Sequence, residues 1–508
     1  MRSESSIKNA ITAIGSNIIS ILIGIISQAV FIKVLGTEYL GVNGLFTNII
    51  SMLGIVELGI GSAIIYHLYE PVAKNDKEKI KSLMRFYKIS YRIIALIVFC
   101  IGICIIPFLK SIVGETTIET NINFIYFLFV IDIVASYLLT YKRSILYANQ
   151  QSYIINIVHI LYLILLNVIQ IIVLLLTNNY IIYLIVKIVF RILENIVITY
   201  IANKKYEYIT EKEAKRLEKN VTNDIVIKVK GLIYHKIGSF VVLGTDNIII
   251  SKFLGVAVVG LYSNYNMIIQ AVSNLFLQIF DSLTASVGNL LVEKDTEKSY
   301  RIYKNMLMIN SILFTFAGNE LMCLIEPFIS IWIGKQYILP YSVLIILIVN
   351  FYIQGMRKTC LVFKTAAGVF HEDRYYPIIE SIINIVASII LVKWIGLAGV
   401  FIGTILSSLP VILMSYPKYV YKPLFRRSYA SYIKENLYYY GTALITIITS
   451  VIVTKNIFIE NTFFKLIANG VVSVFIYIVF QYVIFHKKEE YKYAKNLILS
   501  FLKNKKGK

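Results

Sequence analysis

An all-α polytopic membrane protein with about 14 transmembrane helices is what three observations on this 508-residue chain predict. Residues of the set Ala, Val, Ile, Leu, Met, Phe, Trp, Tyr and Cys make up 57% and charged residues only 16%. The mean hydropathy is +0.72, far above that of a soluble globular domain. Apolar runs of about 20 residues, enough helix to cross about 30 Å of hydrocarbon, recur along the whole chain. Basic residues gather in alternate gaps between these runs.

Taken in order, the first span, 11–34, carries no charge between Ile11 and Ile32 and exceeds the roughly 7 to 15 apolar residues of a cleavable signal, so it stays as a helix. The second, 40–67, holds Glu57 among glycines 54, 59 and 61, which permit bending. Spans 89–109, 121–141, 153–177 and 180–203 complete a first group of six. Mixed charges at helical spacing in 204–230 read as a cytoplasmic linker. Spans 231–253, 258–290, 305–332, 341–363, 375–392 and 396–416 form a second six. The run 258–290 is too long for a straight crossing and should tilt or project. Spans 436–454 and 463–485 end the series. The expected organisation is an N-lobe 1–203, the linker 204–230, a C-lobe 231–416, helices 13 and 14 in 417–486, and a basic tail 487–508.

With both termini cytoplasmic, the inner segments hold 37 of the 50 Lys and Arg residues and the outer segments and outer span ends seven. That asymmetry predicts a multi-pass protein of the cytoplasmic membrane. It also accounts for the net charge of +21 through topology and lipid headgroups, without nucleic acid. Cys100, Cys104, Cys323 and Cys360 lie inside apolar runs and read as packing residues. No P-loop, HExxH or CxxC pattern is present, so neither metal nor cofactor is expected.

"KVLGTEYLG" (Lys33 to Gly41) returns as "KFLGVAVVG" (Lys252 to Gly260), and more weakly as "KWIGLAGV" from Lys393. Each copy joins an odd-numbered span to an even one. The first two are six spans apart, so the lobes should be parallel repeats, with the copies as hinge hairpins carrying an interfacial lysine.

The remaining six basic residues fall inside spans away from their outer ends, where charge is costly and by default marks function. Lys187, Arg191 and Glu194 stand at i, i+4 and i+7 of the sixth span, with Asn195 beside them. Two cations against one acid leave a positive excess suited to phosphate, and Arg191 offers a planar fork. An internal ion pair is the alternative. Arg357 and Lys358 in the tenth span are candidates for cytoplasmic-side phosphate uptake, against simple snorkelling. Arg92 and Lys236 read as snorkelling, and Arg143 as interfacial. Glu57, Asp132, Asp246 and Asp281 are candidate ion-coupling groups or charge partners; Asp246 shares a face with His235 and Ser239.

Three further stretches, "GTEYLGVNGLFTNIISMLGIVELGIGSAIIYHLYEPVA" from Gly36, "YKRSILYANQQSYI" from Tyr141 and "HKIGSFVVLGTDNIIISKFLGVAVVGLYSNY" from His235, have the look of a known family. So do "ASVGNLLVE" from Ala285, "EPFISIWIGKQYIL" from Glu326 and the segment "FKTAAGVFHEDRYYPIIESIINIVASIILVKWIGLAGVFIGTILS" from Phe363. The chain thereby resembles the polysaccharide transporter branch, the Wzx-type oligosaccharide flippases, of the multidrug/oligosaccharidyl-lipid/polysaccharide (MOP) exporter superfamily. The resemblance implies two six-helix lobes plus two helices, a central cavity and alternating access. It also implies an undecaprenyl-diphosphate-linked oligosaccharide as substrate, for capsule or exopolysaccharide, with a polymerase and other export proteins as partners. A multidrug or cation antiporter of the same superfamily is an alternative, which would favour an acid-lined cavity. A lipid II flippase is another, but the uncharged first span departs from its arginine-bearing pattern. A membrane-embedded polymerase or glycosyltransferase is the alternative from a different class, and the short outer loops argue against it.

Overall fold

The computed structural model describes residues 2–57, 60–211, 217–218, 221–223, 225 and 244–504. Among them every regular element is a helix, and eleven helices are long and apolar enough to cross a membrane. Three of the fourteen predicted spans have no helix of their own in that count. The first two are merged in one helix, the sixth carries three charges, and only the end of the seventh lies among the described residues. The chain divides into two compact units, Met1–Gly260 and Leu261–Lys508.

In the first unit, α1 (Arg2–Leu53) is two spans joined at Gly36, whose φ of 86° and ψ of −177° interrupt the helix. A 3-10 turn at Gly54–Glu57 then breaks the second span where the glycines permit it, before α2 (Ile60–Ala73). The cap Asp76 accepts from the Lys79 amide at 3.0 Å and starts α3 (Lys77–Ile105); a short α4 (Leu109–Val113) ends at Gly114. Asn121 caps α5 (Ile122–Thr140), and a tight turn leads to α6 (Arg143–Ala148). α7 (Ser152–Thr177) ends on left-handed Asn178, and Asn179 caps α8 (Tyr180–Lys205). α9 (Asp246–Leu254) closes at Gly255, from which α10 (Val256–Val292) runs on into the second unit. At about 1.5 Å per residue its 37 residues span roughly 55 Å, well beyond the hydrocarbon thickness.

All three copies of the Lys-to-Gly segment turn on the equivalent glycine. Gly36, Gly255 and Gly396 have φ of 86°, 90° and 61°, a region that residues with a Cβ adopt at a cost. In the first unit two copies also meet each other. A Cβ on Gly41 would strike the Val256 carbonyl, and one on Gly260 would strike the Thr37 carbonyl. Val256 and Thr37 occupy the same place in their copies, four residues after the lysine, so the contact is reciprocal.

In the second unit, α11 (Thr296–Trp332) packs against α12 (Tyr341–Ala366), α15 (Tyr429–Lys455) and α16 (Thr462–Phe485). Buried polar groups stitch it in place: Asn310 donates to the Gly355 carbonyl at 3.1 Å, Asn319 to Ser473 at 3.2 Å, and Tyr477 to Ile312 at 2.9 Å. α13 (Tyr376–Ile395) and α14 (Leu397–Pro410) form a close hairpin because Gly399 and Gly403 admit the Leu391 carbonyl and Ser388. α14 continues through a wider π-wound stretch, Val411–Tyr421, and α17 (Glu489–Asn504) follows α16. Cys323 and Cys360 are buried, whereas Cys100 and Cys104 lie on the exposed side of α3.

Candidate functional site

Within the first unit a cavity of about 370 Å³ is walled by α1, the Gly54–Glu57 turn, α5, α6 and α8. Two helical stripes make its sides. On α8, Lys187, Arg191 and Asn195 recur every four residues. On α5, Phe129, Asp132, Ser136 and Thr140 stand at spacings of three and four. Thr47 and Ser51 of α1, Tyr137 of α5, Glu57 and Arg143 complete the polar lining.

The charges form a network in two layers. On the cavity wall, the Lys187 ammonium is 3.2 Å from Asp132 Oδ2, and Arg191 Nε is 3.7 Å from Asp132 Oδ1. Behind it, Glu194 has a wholly buried side chain. Its Oε1 meets the Arg143 guanidinium at 3.3 Å and His159 Nδ1 at 2.9 Å, and its Oε2 accepts from Arg191 at 3.3 Å. Asn195 accepts from Arg143 at 2.9 Å and donates at 3.3 Å to the carbonyls of Ala135 and Ser136, pinning α8 to α5. The rings of Phe129 and Tyr162 lie under Lys187 and Arg191 at 4.8 and 5.2 Å. Nε of both Arg143 and Arg191 is buried without a hydrogen-bond acceptor among the described residues.

The structure thus brings Lys187, Arg191, Asn195, Asp132 and Glu57 to one cavity and sets Glu194 behind it. Two expectations change. Lys187 and Arg191 do not leave a cation unpaired against Glu194 alone, because Asp132 approaches from α5 and pairs with both. Arg143 is not simply interfacial: the turn at Tyr141–Lys142 starts α6 so that its guanidinium reaches the cavity. Topology accounts for its position in a basic inner loop, and no local pattern links it to Glu194 on another helix.

The second unit treats its candidates differently. Arg357 forms a two-pronged pair with Glu380, at 2.6 and 3.1 Å, and donates to Gln354 at 3.0 Å. Its fork is taken, so snorkelling does not describe it and a phosphate would have to displace Glu380. Lys358 is half-buried and within electrostatic reach of exposed Asp281 on α10. Glu57 accepts from the Tyr91 hydroxyl at 3.1 Å. Asp246 is half-buried in the first turn of α9; its supposed face-mates His235 and Ser239, like Lys236, lie outside the described residues.

The family model described as polysaccharide biosynthesis protein matches residues 6–284. Among curated proteins no relative matches the sequence. Among solved structures, the chain is similar to the lipid II flippase MurJ in an inward closed conformation. Identity is 16% and the TM-score 0.64, over 94% of this chain and 99% of that one. It is also similar to an inward-facing multidrug resistance MATE family transporter of the MOP superfamily, at 14% identity and a TM-score of 0.62, over 84% and 99%. The Vibrio cholerae MATE transporter VcmN, in its bent form, aligns at 14% identity and a TM-score of 0.53, over 85% and 99%. At these identities the likeness is one of fold.

Proposed function

This chain belongs to the polysaccharide biosynthesis protein family and has the helices of a multi-pass membrane protein; from that premise, and from a fold like those of MurJ and the MATE transporters, we propose that it is a transporter of the MOP type that flips undecaprenyl-diphosphate-linked oligosaccharide repeat units. It moves them across the cytoplasmic membrane by alternating access, with both termini cytoplasmic, and feeds a polymerase that builds capsule or exopolysaccharide. No bond is made or broken in this reading.

The observation that carries the proposal is the first-unit cavity. Three cations and two carboxylates line it, and the two buried arginine Nε–H groups are left to donate. A diphosphate brings charge and several acceptor oxygens, which suit a guanidinium fork and an ammonium together. A hydrated glycan needs the neutral polar groups that Thr47, Ser51, Ser136 and Thr140 supply. A cation antiporter would call for acids in excess, and the lining has the opposite balance.

The test is K187A/R191A in the native host, with polymer export and lipid-linked intermediates followed by mass spectrometry. The expected result is loss of export with whole repeat units trapped on the lipid carrier. Intact export at normal protein levels would eliminate the phosphate site. Single units exported without polymer, on deletion of the chain, would point to a polymerase instead.

A further inference from the structure

We propose that Asp132 is an internal counter-ion that determines how tightly the cavity holds its anionic ligand: in the empty carrier its carboxylate occupies the place on Lys187 and Arg191 that the diphosphate takes. Binding and release are then an exchange of one anion for another. This deepens the reading of the cavity as a diphosphate site and rests on it.

The two acids around Arg191 are built for different tasks. Glu194 has a side chain with no exposure and three positive or potentially positive partners spread over both oxygens, so nothing from the cavity can replace it. Asp132 stands on the cavity wall with 14% of its side chain exposed. Its hold on Arg191 is incomplete. At 3.7 Å the pair is too long for a hydrogen bond, and both Asp132 Oδ1 and Arg191 Nε lack one among the described residues. The Arg357–Glu380 pair, at 2.6 and 3.1 Å, shows how this chain builds an ion pair meant to stay closed.

The cations, by contrast, are held independently of Asp132. Glu194 fixes Arg191 from behind, and the Phe129 and Tyr162 rings lie under the two cationic groups. When Asp132 yields, Lys187 and Arg191 therefore keep their positions and face the ligand. When the ligand leaves, Asp132 returns, so that the part-buried Lys187 is not left without a carboxylate and Arg191 is not left with Glu194 alone. An acid in this place weakens binding of an anion and hastens its release, which a carrier needs as much as capture. It also lowers the positive charge that the wall shows to ligands without an anionic group.

The experiment measures binding of undecaprenyl diphosphate to the purified full-length chain. It compares wild type, D132N, D132S, D132E and K187A/R191A, alongside export rates in cells. The neutral variants are expected to bind roughly tenfold tighter, equivalent to about 1.4 kcal/mol, while export slows. D132E, which restores a carboxylate, should move affinity back toward wild type. A residue that merely held Lys187 and Arg191 in place would instead give weaker binding in D132N and D132S. That result, or unchanged affinity, would overturn the counter-ion while leaving the cavity reading intact, provided K187A/R191A has lost binding. Wild-type binding by K187A/R191A would overturn both. D132S leaves room where D132N fills it, so a folding defect in one neutral variant does not remove the test.

Discussion

Gly41→Ala tests the reciprocal contact between the first two copies of the Lys-to-Gly segment. The new methyl would strike the Val256 carbonyl and come within 3.0 Å of the Gly260 amide nitrogen; the mirror change, Gly260→Ala, would strike the Thr37 carbonyl and crowd the Gly41 nitrogen at 3.1 Å. Backbone cannot swing aside as a side chain does, so the segments themselves must part. Overpacking typically costs about 1–3 kcal/mol, and a backbone clash belongs at the upper end. At roughly 2–4 °C per kcal/mol for a unit of this size, each single variant should lower the Tm of the purified protein by about 5–10 °C. Both substitutions force the same separation, so G41A/G260A should cost less than the sum of the two, with a coupling of about 1 kcal/mol or more. Thermal unfolding followed by circular dichroism supplies all four corners of the cycle. Gly15→Ala is the control: nothing lies within 4 Å of its Cβ position in α1, and a helical Gly to Ala change should gain about 0.5–1 kcal/mol. Additive costs, or wild-type Tm values in both single variants, would refute the reciprocal contact.

Two further predictions concern charge. Glu194→Ala strips Arg143, Arg191 and His159 of their shared buried partner and should destabilise by about 3–5 kcal/mol; Glu194→Gln should cost less, and an unaltered melting curve for the Ala variant would contradict the network. In the turn between α5 and α6, Lys142 donates to Asn203 at 2.7 Å, and burial, helped by the charge of Lys88, pushes its ammonium down from 10.5 to about 8. Between these values the folded protein binds fewer protons than the unfolded chain, so this group makes stability rise with pH from about 8 to 10.5, its full penalty being felt below that window. Denaturation profiles of wild type and K142M should differ in that rise; parallel profiles across the window would exclude it.

Some of the site is written in local spacing. Lys187, Arg191 and Glu194 share a face of α8 because 3.6 residues make a turn, and that holds whatever the helix packs against. The break of the second span follows from its glycines in the same way. Pairings across helices leave no such mark. Asp132 stood out as an intramembrane acid, but its bond to Lys187 joins residues 55 positions apart, set by the packing of α5 on α8. Arg143 carried a signal that pointed elsewhere, since basic residues beside a span end are what membrane topology requires in any case.

The amino-acid sequence by itself determined that this chain is an all-helical, multi-pass membrane protein, how its glycine-bearing copies are spaced and which charges stand inside apolar helices. These are properties of composition and of periodicities a few residues long, and the cost of exposing polar backbone to lipid leaves helices as the way to satisfy them. Only the tertiary structure decided that Asp132 faces the cations, that Glu194 lies behind them, that Arg357 is closed by Glu380 and that Gly41 abuts the Gly260 copy. Each of those outcomes depends on which helix faces which, a relation fixed by packing between segments 20 to more than 200 residues apart, and an ionisable residue acquires its role only from the partner that packing supplies.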